Sequence, residues 1–141
     1  MNDAEYETQL ARLRALAGVW MKPLGLLWWR KIDMAYVRDS GDYSVDGEPS
    51  PNGCANTKAD WRYLHATITW NIPVVAEQSD DELEYIFVHE CCHILLNETR
   101  DLINKDQLRN DRDDWHAHEE RVVSTVAQAF IWTRDMAKEP G

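Results

Sequence analysis

The sequence predicts an α+β domain in which helices pack on a small sheet. Three observations predict this class: apolar residues at helical spacing near the N-terminus, apolar–polar alternation in the middle of the chain, and two further helical stretches toward the C-terminus. The chain has 141 residues, which is the size of one ordinary domain. We therefore expect a single domain spanning 1–141.

The first predicted element is an amphipathic helix over about residues 4–20, in which Tyr6, Leu10 and Leu13 recur on one face. Pro23 follows as the signal that the helix has ended.

Two stretches alternate with the two-residue period of a half-buried strand. Ile32, Met34 and Tyr36 alternate with charged or small residues, and a second alternation runs from Thr67 to Ile72. Pro73 comes next and ends the strand; because proline donates no hydrogen bond to a neighbouring strand, its position suits either an edge strand or the exit from a strand.

Helices are predicted again in the last part of the chain. Ser79, followed by a glutamate three residues later, is a capping box that starts a helix over about 80–97. After a polar connection at 101–111, a last helix is predicted over about 112–136. The segment 39–53 is rich in glycine, serine, aspartate and proline, which predicts a long loop that borders the functional site.

Composition excludes several classes of partner. The formal net charge of −10 disfavours nucleic acid, and no run approaches the roughly 18 apolar residues of a membrane span. The N-terminus is acidic and shows no basic region followed by an apolar run, so we expect a cytoplasmic protein. Three cysteines, an odd number, are consistent with a reducing compartment.

The segment His89-Glu90-Cys91-Cys92-His93 is an HExxH motif on the predicted helix 80–97. Residues four apart share one helical face, so both imidazoles can bind the same ion. Glu90 lies beside that ion, where it can take a proton from a bound water. Cys91 and Cys92 are expected to pack in the core. A catalytic zinc needs a third protein ligand, and the last helix offers four candidates: His116, His118, Glu119 and Glu120.

The chain resembles the gluzincin class of zinc metallopeptidases, and more closely the single-domain minimal forms that phages often encode. The resemblance covers the two C-terminal helices and, loosely, the preceding strands. In these families a glutamate on the helix after HExxH completes the zinc site, with a small or polar residue one turn later and apolar residues beyond. The segment from Glu120 to Ile131 is similar to this pattern, and Ser124 is then placed to hydrogen-bond a zinc histidine.

The resemblance implies a zincin-like fold: an N-terminal helix, a small twisted sheet with an edge strand, the HExxH helix and a C-terminal glutamate helix. It implies Zn²⁺ as the cofactor and hydrolysis of peptide bonds in a protein or peptide substrate, with Glu90 as the general base. It further implies that Thr67–Ile72 is the edge strand that holds extended substrate by backbone pairing.

Glu120 and Glu119 compete for the third position. By helix angle Glu119 points nearer the centre of the apolar stripe, whereas Glu120 stands at its edge. We predict Glu120, because a ligand should stand at the edge of the core facing the cleft. A histidine ligand, His116 or His118, remains a further alternative; otherwise His116 could stabilise the oxyanion, orient Glu120 or lie on the surface.

Two other functional classes remain open. Glu90 and His93 also form the ExxH element of di-iron proteins, but these need a second ExxH and a four-helix bundle, and this chain has one such element and a middle that reads as strands. The second alternative is a catalytically silent or latent zincin-like protein that binds metal and acts as a regulatory module.

Overall fold

The computed structural model describes residues 1–106 and 112–138. Along the chain these residues form α1 (Asp3–Trp20), a 3-10 turn (Leu26–Trp28), β1 (Lys31–Val37), a second 3-10 turn (Ser40–Asp42), β2 (Ser44–Val45), β3 (Glu48–Pro49), β4 (Ala55–Asp60), β5 (His65–Asn71), α2 (Ile72–Glu77), α3 (Asp80–Asp106) and α4 (Arg112–Lys138). This is the predicted α+β class, with an N-terminal helix, a small mixed sheet and two C-terminal helices.

The main sheet has three strands in the order β1-β5-β4. The central strand β5 is parallel to β1 and antiparallel to β4. The expectation that Thr67–Ile72 forms the edge strand is therefore wrong, because both edges of that strand carry neighbours. The alternation correctly indicated one buried face, but burial of a face does not tell whether a strand has one neighbour or two. β4 is an outer strand, and it lies against α3.

Pro73 lies just beyond the end of β5, at the exit of the strand, which is one of the two positions expected for it. It lies in the first turn of α2, a short helix that the sequence did not predict. A proline is well accommodated there, because the first N–H groups of a helix have no intrahelical partner to lose. Ile72 and Val75 of this helix are fully buried. Pro73 thus marks the start of a helix that leaves the sheet.

The predicted helix starts are present in the structure. The Asn2 side chain accepts a hydrogen bond from the Glu5 N–H at 2.8 Å, while the Glu5 carboxylate accepts one from the Asn2 N–H. Ser79 caps α3, accepting from the N–H of Glu82 at 3.2 Å.

The end of α3 differs from the prediction. The helix continues to Asp106, whereas the sequence indicated an end near residue 97. The added turns are fastened to the turn between β4 and β5: the Asn97 side chain accepts from the Trp61 N–H at 3.0 Å, and Asp101 accepts from the Trp61 indole at 2.9 Å. These contacts explain why a polar segment without an apolar stripe remains helical.

The core joins the sheet to both long helices. The rings of Trp70 on β5 and Phe87 on α3 stack with centroids 5.8 Å apart, and both side chains are fully buried. Val123 of α4 is buried in the same cluster. Cys91 and Cys92 belong to it as well, which confirms that they pack in the core.

The segment 39–53, predicted as a loop, contains a 3-10 turn and the small hairpin of β2 and β3. The fully buried amide of Asn71 fastens it to the sheet: its Nδ2 donates to the carbonyls of Pro51 and Gly53 at 3.0 and 2.8 Å, and its Oδ1 accepts from Ser40 Oγ at 2.9 Å. The segment is therefore held beside β5.

One ion pair ties the far ends of the two long helices together. Arg134 Nη1 of α4 donates to Glu84 Oε2 of α3 at 2.7 Å, and the Trp20 indole donates to the same oxygen at 3.0 Å. The Arg134 hydrogen bond holds the pKa of Glu84 below its ordinary value. Because the folded-state pKa is the lower one, this stabilisation is present above the ordinary carboxyl pKa of about 4.3 and is lost as the pH falls through the folded-state value.

We expect Glu84→Gln to lower the free energy of unfolding by about 2 kcal/mol at pH 7, since it removes the charge-assisted bond between α3 and α4 and leaves Asp135 as the carboxylate partner of Arg134. The difference from the parent protein should shrink as the pH falls below about 4. Urea denaturation at both pH values measures it. Glu98→Gln, at an exposed position on the same helix, is the control and should change stability by less than about 0.5 kcal/mol; equal effects of the two substitutions would contradict this account.

Candidate metal centre

Three side chains from the two long helices converge on one point. His89 and His93 lie four residues apart on α3 and project from one face of it, and Glu120 reaches them from α4. The Nε2 atoms of the histidines are 3.3 Å apart. Glu120 Oε2 lies 3.2 Å from Nε2 of His89, and its Oε1 lies 3.0 Å from Nε2 of His93.

These separations fit a shared metal ion. Ligand atoms around a tetrahedral ion with bonds of about 2.0–2.1 Å stand about 3.3 Å from each other. The two imidazole nitrogens have nearly this spacing from each other, and each of them has nearly this spacing from one oxygen of the Glu120 carboxylate. The group could therefore hold a divalent cation with little rearrangement.

The opposite ring nitrogens have polar partners that orient the two imidazoles. Ser124 Oγ lies 3.4 Å from Nδ1 of His89, the contact that the resemblance implied. Nδ1 of His93 lies 3.6 Å from Oε1 of the buried Glu119, whose other oxygen lies 3.4 Å from Nε of Arg100. Both Nε2 atoms are thereby turned toward Glu120, in the arrangement by which second partners orient metal-binding histidines.

This geometry separates the roles of the two competing glutamates. Glu120 approaches both Nε2 atoms, whereas Glu119 contacts the far nitrogen of one histidine. Neither His116 nor His118 belongs to the ligand group found among the described residues, and both side chains are exposed. The geometry therefore favours Glu120 as the third candidate ligand.

The environment adjusts the protonation of the pair. Burial lowers the pKa of His89, and the neighbouring His93 adds to the effect, so His89 keeps a free lone pair at neutral pH. For His93, burial acts in the same direction but is outweighed by the hydrogen bond to Glu119 and by the other carboxylates, and its pKa is raised. Carboxylates thus crowd the histidine pair, and a bound cation would balance their charge.

Glu90 lies in the core beside the histidines and is only 5% exposed. Burial raises its pKa to about 7. Thr57 of β4 contacts it, with Oγ1 placed 3.4 Å from Glu90 Oε1 and 3.3 Å from its main-chain carbonyl oxygen. A buried carboxylate that titrates near neutrality, next to a candidate cation site, has the properties of a general base.

Thr57, which contacts Glu90, and Tyr43, which is influenced by its charge, were not predicted from the sequence. Tyr43 is buried and accepts a hydrogen bond from Asn56 Nδ2 at 2.9 Å. Burial raises its pKa, and the charge of Glu90 contributes in the same direction. Tyr43 belongs to the segment 39–53 and is bonded to Asn56, the residue before Thr57 on β4. No local pattern marks Thr57 or Tyr43, since their interactions depend on packing between distant parts of the chain.

Every second residue along β4 directs its backbone groups to the outer edge of the sheet. The N–H of Asn71 donates to the carbonyl of Cys54 at 2.8 Å, which makes these opposite residues a hydrogen-bonded pair of the antiparallel ladder. Hydrogen-bonded and non-hydrogen-bonded pairs alternate, so the N–H and C=O groups of Ala55, Thr57 and Ala59 face away from β5. Thr57 therefore presents its backbone at this edge while its side chain contacts Glu90.

Three further side chains that could stabilise an oxyanion, Tyr63, His65 and Tyr85, occupy separate places in the structure. Tyr63 and His65 are exposed at the turn between β4 and β5 and at the start of β5. Tyr85 lies one helical turn before His89, and the centroids of the two rings are 6.0 Å apart. Of these three, Tyr85 is the side chain found against a candidate ligand.

Among residues 1–106 and 112–138, no helix is both long enough and apolar enough to cross a membrane. The same residues contain one group of three histidine, cysteine or acidic side chains whose donor atoms lie within 4.8 Å of one another, namely His89, His93 and Glu120. No protein-family model, curated protein or solved structure matches the chain.

Proposed function

We propose that the chain is a zinc-dependent metallopeptidase. The observation that carries the proposal is the convergence of His89 Nε2, His93 Nε2 and a Glu120 oxygen beside the buried carboxylate of Glu90. A structural metal site is usually closed by four protein ligands, whereas three ligands leave a position for water or substrate.

Zinc is the ion that best suits this donor set. Two imidazoles and one carboxylate are typical of catalytic zinc sites, while magnesium and calcium prefer oxygen ligands alone. His89, His93 and Glu120 would hold the ion, which when bound would supply Lewis-acid chemistry for polarising a carbonyl and acidifying water.

Glu90 would move the proton during hydrolysis. Its Oε1 is contacted by the Thr57 hydroxyl, so Oε2 is the atom left to accept a proton from the attacking water. Burial raises the pKa of this carboxylate to about 7 in the metal-free protein, and the same group would return the proton to the leaving amine. One buried residue thus serves both proton transfers.

The outer edge of β4 would hold the substrate. Extended peptides add to sheet edges through main-chain hydrogen bonds. The outward N–H and C=O groups of Ala55, Thr57 and Ala59 would form these bonds with the substrate. Because Thr57 also contacts Glu90, a peptide paired at this edge would pass beside the proposed base. The substrate class is therefore an extended protein or peptide segment, bound at β4 and not at Thr67–Ile72.

The direct test is hydrolysis of unfolded proteins by the purified chain loaded with zinc. We expect new peptide termini, and we expect hydrolysis to stop when a chelator removes the metal. Activity should recover when zinc is returned, because the side chains that hold the metal remain in place. Mass spectrometry of the products measures cleavage. Stoichiometric zinc without cleavage of any substrate would instead support the alternative of a silent or latent metal-binding protein.

A further inference from the structure

An open groove of about 570 Å³ lies between α3 and α4. Tyr85, Ile131 and Trp132 supply apolar lining, and Asp81 and Asp135 line it with carboxylates. Trp132 is 65% exposed, a large apolar surface left in contact with solvent. The lining is therefore mixed, with apolar side chains beside carboxylates.

One end of the groove lies next to His89, although the three candidate ligands do not themselves line it. Tyr85, one of its walls, lies against His89 with ring centroids 6.0 Å apart. Thr125, another lining residue, directly follows Ser124, whose hydroxyl contacts Nδ1 of the same histidine. A substrate residue bound next to the scissile bond could therefore send its side chain into the groove.

The charges of the groove favour a cation. Asp81 is exposed in the first turn of α3, and Asp135 is exposed near the end of α4. The nearby Arg134 bonds one oxygen of Asp135 at 2.9 Å, but its guanidinium lies over the ring of Trp20, 5.2 Å from the centroid, and is also bound to Glu84. The guanidinium of Arg134 is thus held against α1.

The distance along the groove determines which cationic side chains can occupy it. Asp81 precedes His89 by eight residues, which is about 12 Å along the helix axis. A short side chain at the metal centre would not approach that end of the groove. Arginine and lysine have long apolar stems that pack on rings such as Trp132 while the charged head stays near carboxylates and water.

We propose that this groove binds an arginine or lysine side chain of the substrate, within two residues of the scissile bond. The proposal rests on the metallopeptidase function proposed above and adds the substrate preference that the function lacks. The groove is a specificity site, and neither Asp81 nor Asp135 contacts the metal ligands or Glu90.

The test uses one cleavable peptide in which the two residues on each side of the scissile bond are varied in turn to arginine, lysine, methionine or glutamate. We expect arginine or lysine at one of these positions to raise kcat/KM about fivefold over methionine, which is the size of effect that exposed charge pairs produce. Glutamate should be the poorest residue at that position. Equal rates for arginine and methionine at all four positions would overturn the proposal.

Two double variants locate the preference. Asp81→Asn with Asp135→Asn should abolish the advantage of arginine, so that the ratio of kcat/KM for the arginine peptide to kcat/KM for the methionine peptide falls to about one. Glu7→Gln with Glu77→Gln removes the same formal charge from exposed positions on α1 and α2, and should retain the preference. Preference that survives in the first variant, or disappears in the second, shows that the groove is not responsible.

A binding measurement separates failure of the groove from failure of the enzymatic proposal. Nitrogen-labelled protein is titrated with Nα-acetyl-arginine amide and, for comparison, Nα-acetyl-norleucine amide. The indole N–H resonance of Trp132, assigned with Trp132→Phe, should shift with the arginine compound more than with the norleucine compound, and less in the Asp81→Asn, Asp135→Asn variant. If no peptide is cleaved but this pattern appears, peptidase activity fails while the groove stands; equal or absent shifts overturn the groove.

Discussion

Glu90→Gln is expected to retain one zinc per chain and to lose hydrolysis by about 1000-fold. Glutamine keeps the size and hydrogen-bonding capacity of the side chain but cannot accept and return a proton. The three candidate ligands are untouched by this change, so metal content should match that of the parent protein. Initial rates on one peptide, together with zinc analysis of the same samples, measure both quantities.

A stability measurement distinguishes a lost base from a damaged fold. Burial raises the pKa of Glu90 to about 7, so in the metal-free protein its ionised form costs free energy at higher pH, and the neutral amide should be at least as stable. Glu98→Gln, an exposed change on the same helix, should leave activity and stability alone. Full activity in Glu90→Gln would show that another group accepts the proton.

Glu120→Ala is expected to weaken zinc binding by more than about 100-fold, because a direct ligand is removed and two imidazoles remain. Glu119→Gln is the matched comparison on the adjacent residue. Glu119 contacts His93 Nδ1 at 3.6 Å, and loss of such an orienting partner typically costs between about 10-fold and 100-fold in affinity. Competition with a chromogenic chelator gives both dissociation constants.

The relative size of the two losses in zinc affinity shows which glutamate is the ligand. A larger loss in Glu119→Gln than in Glu120→Ala would mean that Glu119 binds the ion and that the metal-free geometry rearranges. Comparable small losses of zinc affinity in both variants would show that neither glutamate of α4 belongs to the metal site. Far-UV circular dichroism of each variant checks that α3 and α4 remain helical.

The elements of the fold were predictable where the pattern is local. Alternation along Ile32, Met34 and Tyr36 suffices to indicate β1, and Ser79 suffices to indicate the start of α3. The position of β5 in the sheet was not predictable in this way, because its neighbours lie elsewhere in the chain. The extension of α3 to Asp106 likewise depends on contacts with Trp61, a residue from the turn after β4.

In the site, too, local features were predictable from the sequence and contacts between distant residues were not. The helical spacing of His89 and His93 fixes their shared face, so their proximity follows from the sequence alone. The approach of Glu120 was implied by resemblance, and the structure brings its carboxylate to both histidines. Thr57 and Glu90 are 33 residues apart in the chain, and no property of either residue predicts their contact.

The most direct test of the central claim is to locate the metal by anomalous diffraction at the zinc absorption edge, using crystals of the zinc-loaded chain. The account predicts one zinc, about 2.0–2.1 Å from Nε2 of His89 and from Nε2 of His93 and about 2.0–2.2 Å from a carboxylate oxygen of Glu120, with a further position open to solvent. Zinc bound through Glu119, closed off by a fourth side chain, or found away from these helices would contradict it.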